Sequence, residues 1–408
     1  MKKSVLREYA RLIAVKGANI QKGQEVVLRA ETDCPEFVAM VAEECYKANA
    51  KKVTVEWGFQ PLTKINVKYQ TADTLGGVEE WERARLSHRL ETLPAMIYIL
   101  SEDPDGLKGM DQKKYAAASR ARMEIIKPFR DKMDNHYQWC IAAAPGDKWA
   151  KKVFPDVRVS KAREMLWEAI LECSRAGKGD AVENWKRHNE ELRAHNRKMN
   201  EMRLKSLHYR ASNGTDLTVG LREDGIFSGG EERTLEGVCY NPNIPSEECF
   251  TSPKKGEAEG IVFSSKPLSY NGELIDRFWI RFKDGKAAES KAEIGDSLLK
   301  ELIAMDEGAA YLGECALVPF SSPINTSGLL FYNTLFDENA CCHLALGKGF
   351  PETTRSFENY TLEQLKEKGI NDSIIHEDFM IGTADLDIAG ETFDGKTVQI
   401  FKNGEWAF

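Results

Sequence analysis

Apolar positions recur at helical spacing over residues 4–16, where Val5, Tyr9, Leu12 and Ile13 share one face that ends near Gly17. The next run, GQEVVLRAE (23–31), alternates and branches like a strand. Phe37, Val38, Val41, Ala42 and Cys45 then mark a second helical face over 35–48, and KKVTVEWG (51–58) predicts a second strand. Strand, helix and strand in this short interval form a βαβ unit, whose handedness favours a parallel, doubly wound sheet. MIYILSED (96–103) and YQWCIAAAPG (137–146) supply two more buried strands. The first 150 residues thus predict an α/β domain with a largely parallel sheet. They contain no G-x-G-x-x-G or Walker loop, so nucleotide binding does not follow from this fold class.

From Ser160 to about Arg210 the pattern changes to long helices rich in Glu, Arg and Lys, with Trp185, Leu192, Met199, Met202 and Leu204 as the buried edge. His188 and His195 lie on one face of this segment, but no carboxylate or cysteine pattern completes a metal site with them. A linker is expected near 195–205. Beyond it the chain turns to short strands, with a hairpin signal at Asn213-Gly214 and further turns at Asn271-Gly272, Asp284-Gly285, Asp394-Gly395 and Asn403-Gly404. Strands are expected around 260–264, 277–282 and 379–388, interrupted by one helix, EIGDSLLKELIAMDEGA. The division that results is an α/β domain with a helical extension over 1–204 and an α+β, strand-rich domain over 205–408.

Composition narrows the function. The chain has 408 residues, 42% of them hydrophobic, enough to bury a large core. A net charge of −8 argues against nucleic acid as the main partner, and interspersed acids make the basic stretch 183–210 a solvated helix face rather than a nucleic-acid surface. Nine cysteines without a C-x-x-C pair give neither a disulfide framework nor a zinc ribbon. Arg7, Glu8, Arg11 and Lys16 interrupt any signal-peptide core, and no run approaches the roughly 20 apolar residues of a membrane span. A cytoplasmic location without membrane association is the expectation.

Four stretches in the second half carry candidate chemistry. In HEDF, an extended backbone puts His376 and Asp378 on one face and Glu377 on the other, a start to a divalent-metal site. Glu314, in YLGECALVPF, is a carboxylate in an apolar strand and needs a cation or a proton; a salt bridge to Lys or Arg would also satisfy it. His343 lies in NACCHLALGKGF among small and apolar residues, a setting that suits a hydrogen-bonded core histidine as well as a ligand. Cys341 and Cys342 are neighbours whose side chains diverge, so they do not form a thiolate pair. Glu247 and Glu248, in NPNIPSEECFTSP, occupy a loop from which acids reach a cleft.

Taken together and in order, NIPSEECFTSP, GECALVP, HLALGKGF, HEDFMIG and the ending IFKNGEWAF resemble the thermophilic-aminopeptidase family of metallopeptidases, which includes aminopeptidase T, aminopeptidase S and PepS. The resemblance covers the second half closely, and the α/β first half is compatible with it. It implies two divalent metals held by Glu248, Glu314, His343, His376 and Asp378, with Zn or Co favoured and Mn or Mg compatible with the carboxylate-rich set. The interval to Glu314 selects Glu248 over Glu247, which is left as a general-base candidate. The family carries a tyrosine seven residues after its first metal histidine; here that position is Phe350, so the phenolic hydroxyl is missing from the catalytic set. The resemblance further implies an aminopeptidase acting on short peptides with a free N-terminus and a homodimer; from the chemistry of the site one carboxylate, Glu248 or Asp378, is expected to bridge the metals. Competing readings are another dinuclear metallohydrolase, an amidase or esterase, and a catalytically impaired homologue that binds metal or peptide.

Overall fold

The structure is a computed structural model that describes residues 1–408. The chain divides into two compact units. One comprises 1–188 with 231–245 and 271–273, and the other comprises 189–230, 246–270 and 274–408, so the division falls at His188/Asn189.

In the first unit, β1 (Glu25–Glu31), β2 (Lys52–Gly58), β3 (Ala95–Leu100) and β4 (Trp139–Ala143) form a sheet of order β2-β1-β3-β4, all pairs parallel. β1 buries Val26, Leu28 and Ala30 on one face, while Val27 shares the other with Glu25, Arg29 and Glu31. Helix Pro35–Lys47 begins with proline at its first turn, where the missing N–H costs nothing, and buries Phe37, Val38, Val41 and Cys45. The first helix runs over Lys3–Leu12 and widens into a π-turn at Ile13–Gly17. Gly17 is required there, since a Cβ would lie 2.5 Å from the Cys140 sulfur on β4. Tyr9, Phe37 and Trp167 pack their rings together, and the Tyr9 hydroxyl accepts the Ala143 N–H at 3.2 Å. A two-stranded ribbon, β7 (Glu232–Arg233) with β8 (Cys239–Tyr240), also belongs to this unit.

The second unit holds two antiparallel sheets. The larger contains β5 (Leu204–Arg210), β6 (Asp216–Gly220), β10 (Ala258–Phe263), β11 (Leu268–Tyr270), β12 (Glu273–Lys283), β13 (Lys286–Ile294), β17 (Asp387–Thr392), β18 (Thr397–Lys402) and β19 (Glu405–Trp406). Their order is β11-β12-β10-β6-β5-β17-β18-β19, with β13 on β12. All five Xaa-Gly dipeptides join neighbouring strands of this sheet. At Asn271-Gly272, Asp284-Gly285 and Asn403-Gly404 both residues have positive φ, the geometry that matches strand twist in a tight hairpin. The smaller sheet, β16-β15-β14-β9, is built from β9 (Cys249–Thr251), β14 (Leu312–Leu317), β15 (His343–Gly347) and β16 (His376–Met380). Leu312, Cys315, Leu317, Leu344, Leu346 and Phe379 from it share one apolar cluster with Leu207, Leu217, Val262, Ile280, Ile388 and Phe401 of the larger sheet.

Two expectations need correction. No linker interrupts 195–205: the helix Ala181–Met202 continues through it, and Arg203, with φ +48°, pivots the chain directly into β5. Residues 379–388 are not one strand. β16 ends at Met380, the chain turns through Gly382–Asp385, and β17 starts in the other sheet. A Cβ at Gly382 would lie 2.6 Å from the Cys341 Cβ, and Asp385 holds the turn by accepting the Ser212 N–H and the Thr383 hydroxyl. The two histidines of the long helix pack against aromatic rings, in keeping with the lack of any completing ligand pattern around them: His188 sets its ring edge-on to Trp185, and His195 stacks on Trp406 at 4.6 Å.

Candidate metal centre

The smaller sheet assembles the site through side-chain alternation. On β15, Leu344 and Leu346 enter the core while His343 and Ala345 face the other way, and on β16 His376 and Asp378 share that outer face. In β14 a bulge at Gly313 shifts the parity, so that Leu312 and Cys315 both bury in the core and Glu314 is delivered to the outer face. No other residue fits the bulge, where a Cβ would meet the carbonyl oxygens of Lys348 and Gly347 at 2.3 and 2.4 Å. The register then aligns Glu314, Ala345 and Asp378 across three strands. Ala345, small and fully buried, sits between Glu314 and Asp378 on the middle strand. Glu248 enters from the residue before β9, and Glu377 points to the opposite face, as the extended-strand reading of HEDF requires.

Ligand-type atoms of Glu248, Glu314 and His343 lie within 4.8 Å of one another, and so do those of Glu314, His376 and Asp378. Glu314 is common to both groups, whereas the shared carboxylate had been expected at Glu248 or Asp378. The His343 Nε2 lies 3.3 Å from Glu248, and the His376 Nε2 lies 3.1 Å from Glu314 and 3.3 Å from Asp378. Both Nδ1 atoms face backbone carbonyls: that of His376 is 2.7 Å from Lys348 O and that of His343 3.3 Å from Cys341 O. This orientation fixes the tautomer and leaves Nε2 to coordinate, the usual arrangement behind a metal-binding imidazole.

One residue escaped the sequence reading. Glu338, five positions before His343, is buried and hydrogen-bonds Asp378, and its carboxyl is raised well above the usual range by burial and then by the charges of Asp378, Glu248 and Glu314. Asn339 donates to it at 3.2 Å. The available signal was the pair of acids Asp337-Glu338 immediately before the small and apolar Ala340, Cys341 and Cys342. Glu247, by contrast, belongs to neither ligand group, and its backbone N–H is tied to the Asn339 side chain at 2.7 Å. Phe350 lies against the site without a polar atom, its ring 4.7 Å from that of His376.

The electrostatics show what the cluster lacks. Burial pushes the Glu314 carboxyl up to about 7 against the opposing His376 hydrogen bond, helped by the charges of Asp378 and Glu248. Burial would lower His343, but the Glu248 hydrogen bond and the surrounding carboxylates outweigh it and raise the imidazole to about 9. The same competition raises His376 well above its ordinary value and holds Asp378 below its own. The protein alone thus neutralises buried acids with protons. The Asp378 Oδ1 is buried with no hydrogen-bond partner of good geometry, its near neighbour being the His376 nitrogen at 3.3 Å. Carboxylate and imidazole donors converging around such an orphaned oxygen fit divalent cations.

This is the donor set of a metallohydrolase. Residues 2–406 match the family described as thermophilic metalloprotease (M29), and the chain belongs to it. It is 40% identical over 404 residues to Aminopeptidase 2 of Geobacillus stearothermophilus and 39% identical over 404 residues to Aminopeptidase AmpS of Bacillus subtilis, covering 99% of this chain and 98% of each relative. The solved structure "Wild-type AmpT from Thermus thermophilus" superimposes with a TM-score of 0.89 at 34% identity over 100% of both chains. The enzyme class is accordingly that of a metallo-aminopeptidase, and no helix is long and apolar enough to cross a membrane.

Proposed function

We propose that the protein removes N-terminal residues from short peptides at a centre where Glu248, Glu314 and His343 would hold one divalent ion and Glu314, His376 and Asp378 a second. The observation that carries this reading is the membership of Glu314 in both ligand groups. Divalent ions bound there would supply Lewis acidity, polarising the scissile carbonyl and lowering the pKa of water. Zn or Co suits the two imidazoles, and Mn or Mg suits the carboxylates.

The chain's own residues do the rest. Glu248, Glu314, Glu338 and Asp378 bring four negative charges, which balance two divalent cations once all four are ionised. Glu338, the member outside both ligand groups, then accepts a proton from the attacking water on a carboxylate oxygen and returns it to the nitrogen of the breaking C–N bond. The buried apolar strands beneath exclude bulk water and strengthen each interaction. A free α-amine on the substrate is what an acid-rich site recognises, and an internal peptide bond offers none. A homodimer accompanies this reading as an expectation from the family resemblance, and a cytoplasmic location as the expectation of the sequence reading.

Turnover of aminoacyl-p-nitroanilides and of simple esters by chelated and metal-refilled protein tests the proposal. Metal-dependent release of p-nitroaniline only from substrates with a free amine supports it. Preference for esters, or for N-acylated anilides, would assign the centre to another metallohydrolase class.

A further inference from the structure

We propose that Phe350 sets the side-chain preference of this enzyme, forming with Phe250 an apolar wall that receives the substrate's N-terminal side chain and selects large apolar and aromatic residues. The inference rests on the aminopeptidase reading and goes beyond it to substrate class.

Access to the cluster points to this wall. The side chain of His376 is 24% exposed, against 1% for His343 and 5% for Glu314, so among the metal-binding set His376 meets solvent most. Phe350 is half-buried and lies on that imidazole, and Phe250 meets Phe350 edge-on at 5.4 Å with its own ring buried. A substrate approaching His376 therefore passes the Phe350 ring. The ring offers dispersion and edge contacts to an apolar side chain, while a charged one would lose water there without gaining a partner.

The wall is also held in place. The Phe350 N–H donates to the Ser252 hydroxyl at 2.7 Å, and the Phe350 carbonyl accepts from the Thr353 hydroxyl at 2.6 Å. Behind this turn sits Arg222, 3% exposed, whose guanidinium donates to the Thr353 carbonyl at 2.8 Å, the Thr353 hydroxyl at 3.0 Å and the Ser252 carbonyl at 3.4 Å, and also to the Thr354 hydroxyl. A buried cation spending its donors on one turn fixes that turn's geometry. Phe350 is thereby a preorganised surface and not a loose loop residue.

Calorimetric binding of free L-phenylalanine and L-alanine to cobalt-loaded protein tests the proposal without requiring turnover. Wild-type protein is expected to bind phenylalanine at least about tenfold more tightly than alanine. Phe350→Ala should bring the ratio to about two or less while alanine affinity and cobalt content stay unchanged, and Phe350→Leu, which keeps apolar bulk, should fall between. Retention of the wild-type ratio in Phe350→Ala, or an equal loss for both ligands, would overturn the assignment. Absence of hydrolysis on any aminoacyl-p-nitroanilide with the binding ratio intact would instead remove the aminopeptidase reading and leave the wall standing.

Discussion

Stripping the metal from this protein should make its stability fall as pH rises. Glu314 is raised from 4.5 to about 7, so between those values the folded chain holds a proton that the unfolded chain has released. Stability from that proton is complete below about 4.5 and is lost as pH climbs through about 7. His343, raised from 6.5 to about 9, acts in the same direction: its contribution is complete below 6.5 and lost through about 9. Asp378 has the opposite sign, because its folded pKa is depressed, but its contribution is lost only as pH falls below the carboxylate range and so lies outside this window. One pKa unit is about 1.4 kcal/mol, so each raised group corresponds to about 3 kcal/mol, and the two together to roughly 3–6 kcal/mol since they share partners. At about 2–4 °C per kcal/mol for a unit of this size, the melting temperature of stripped protein should drop by roughly 10 °C or more between pH 5 and pH 9. Bound cations replace those protons and bind more tightly as their ligands deprotonate. The stabilisation from added Co or Zn should therefore grow across the same window. Differential scanning fluorimetry on stripped and refilled protein from pH 5 to 9 reads both slopes, and comparing the two forms cancels remote titrating groups. A stripped-protein melting temperature that is flat or rising with pH, or a metal increment independent of pH, would refute the reasoning.

Two substitutions probe the site further. Glu338→Gln should keep both metal equivalents and lower kcat by about 10²–10⁴-fold, the range for loss of a general base; loss of a metal equivalent in elemental analysis would make Glu338 a ligand instead. Ala345→Leu, in register between Glu314 and Asp378, should push a bulky side chain between the two carboxylates and abolish high-affinity metal binding while near-UV circular dichroism shows a folded chain, whereas normal metal content would mean the ions lie elsewhere.

Much of this arrangement was legible in the residues. An extended HEDF put His376 with Asp378 on one face, because period-two patterning is local; the strand that carries His343 was not read from its small and apolar surroundings. Gly-containing turns announced the hairpins for the same reason. Two features were hidden. The parity of Glu314 depends on the bulge at Gly313, which a register with β15 defines and a single strand's pattern does not. Glu338 became visible only when folding carried it to Asp378, forty positions away in sequence terms. The break between β16 and β17 was equally a tertiary matter, since apolar residues on both sides of Gly382 serve two different sheets.

The central claim is that two ions share Glu314. Titration of Co into stripped wild-type protein, with bound metal per chain and leucyl-p-nitroanilide hydrolysis followed together, tests it most directly. The account predicts two equivalents per chain and full activity only when the second is bound, with both equivalents weakened together by Glu314→Gln. Full activity at one equivalent, or loss of only one ion in Glu314→Gln with the other binding unchanged, would contradict it.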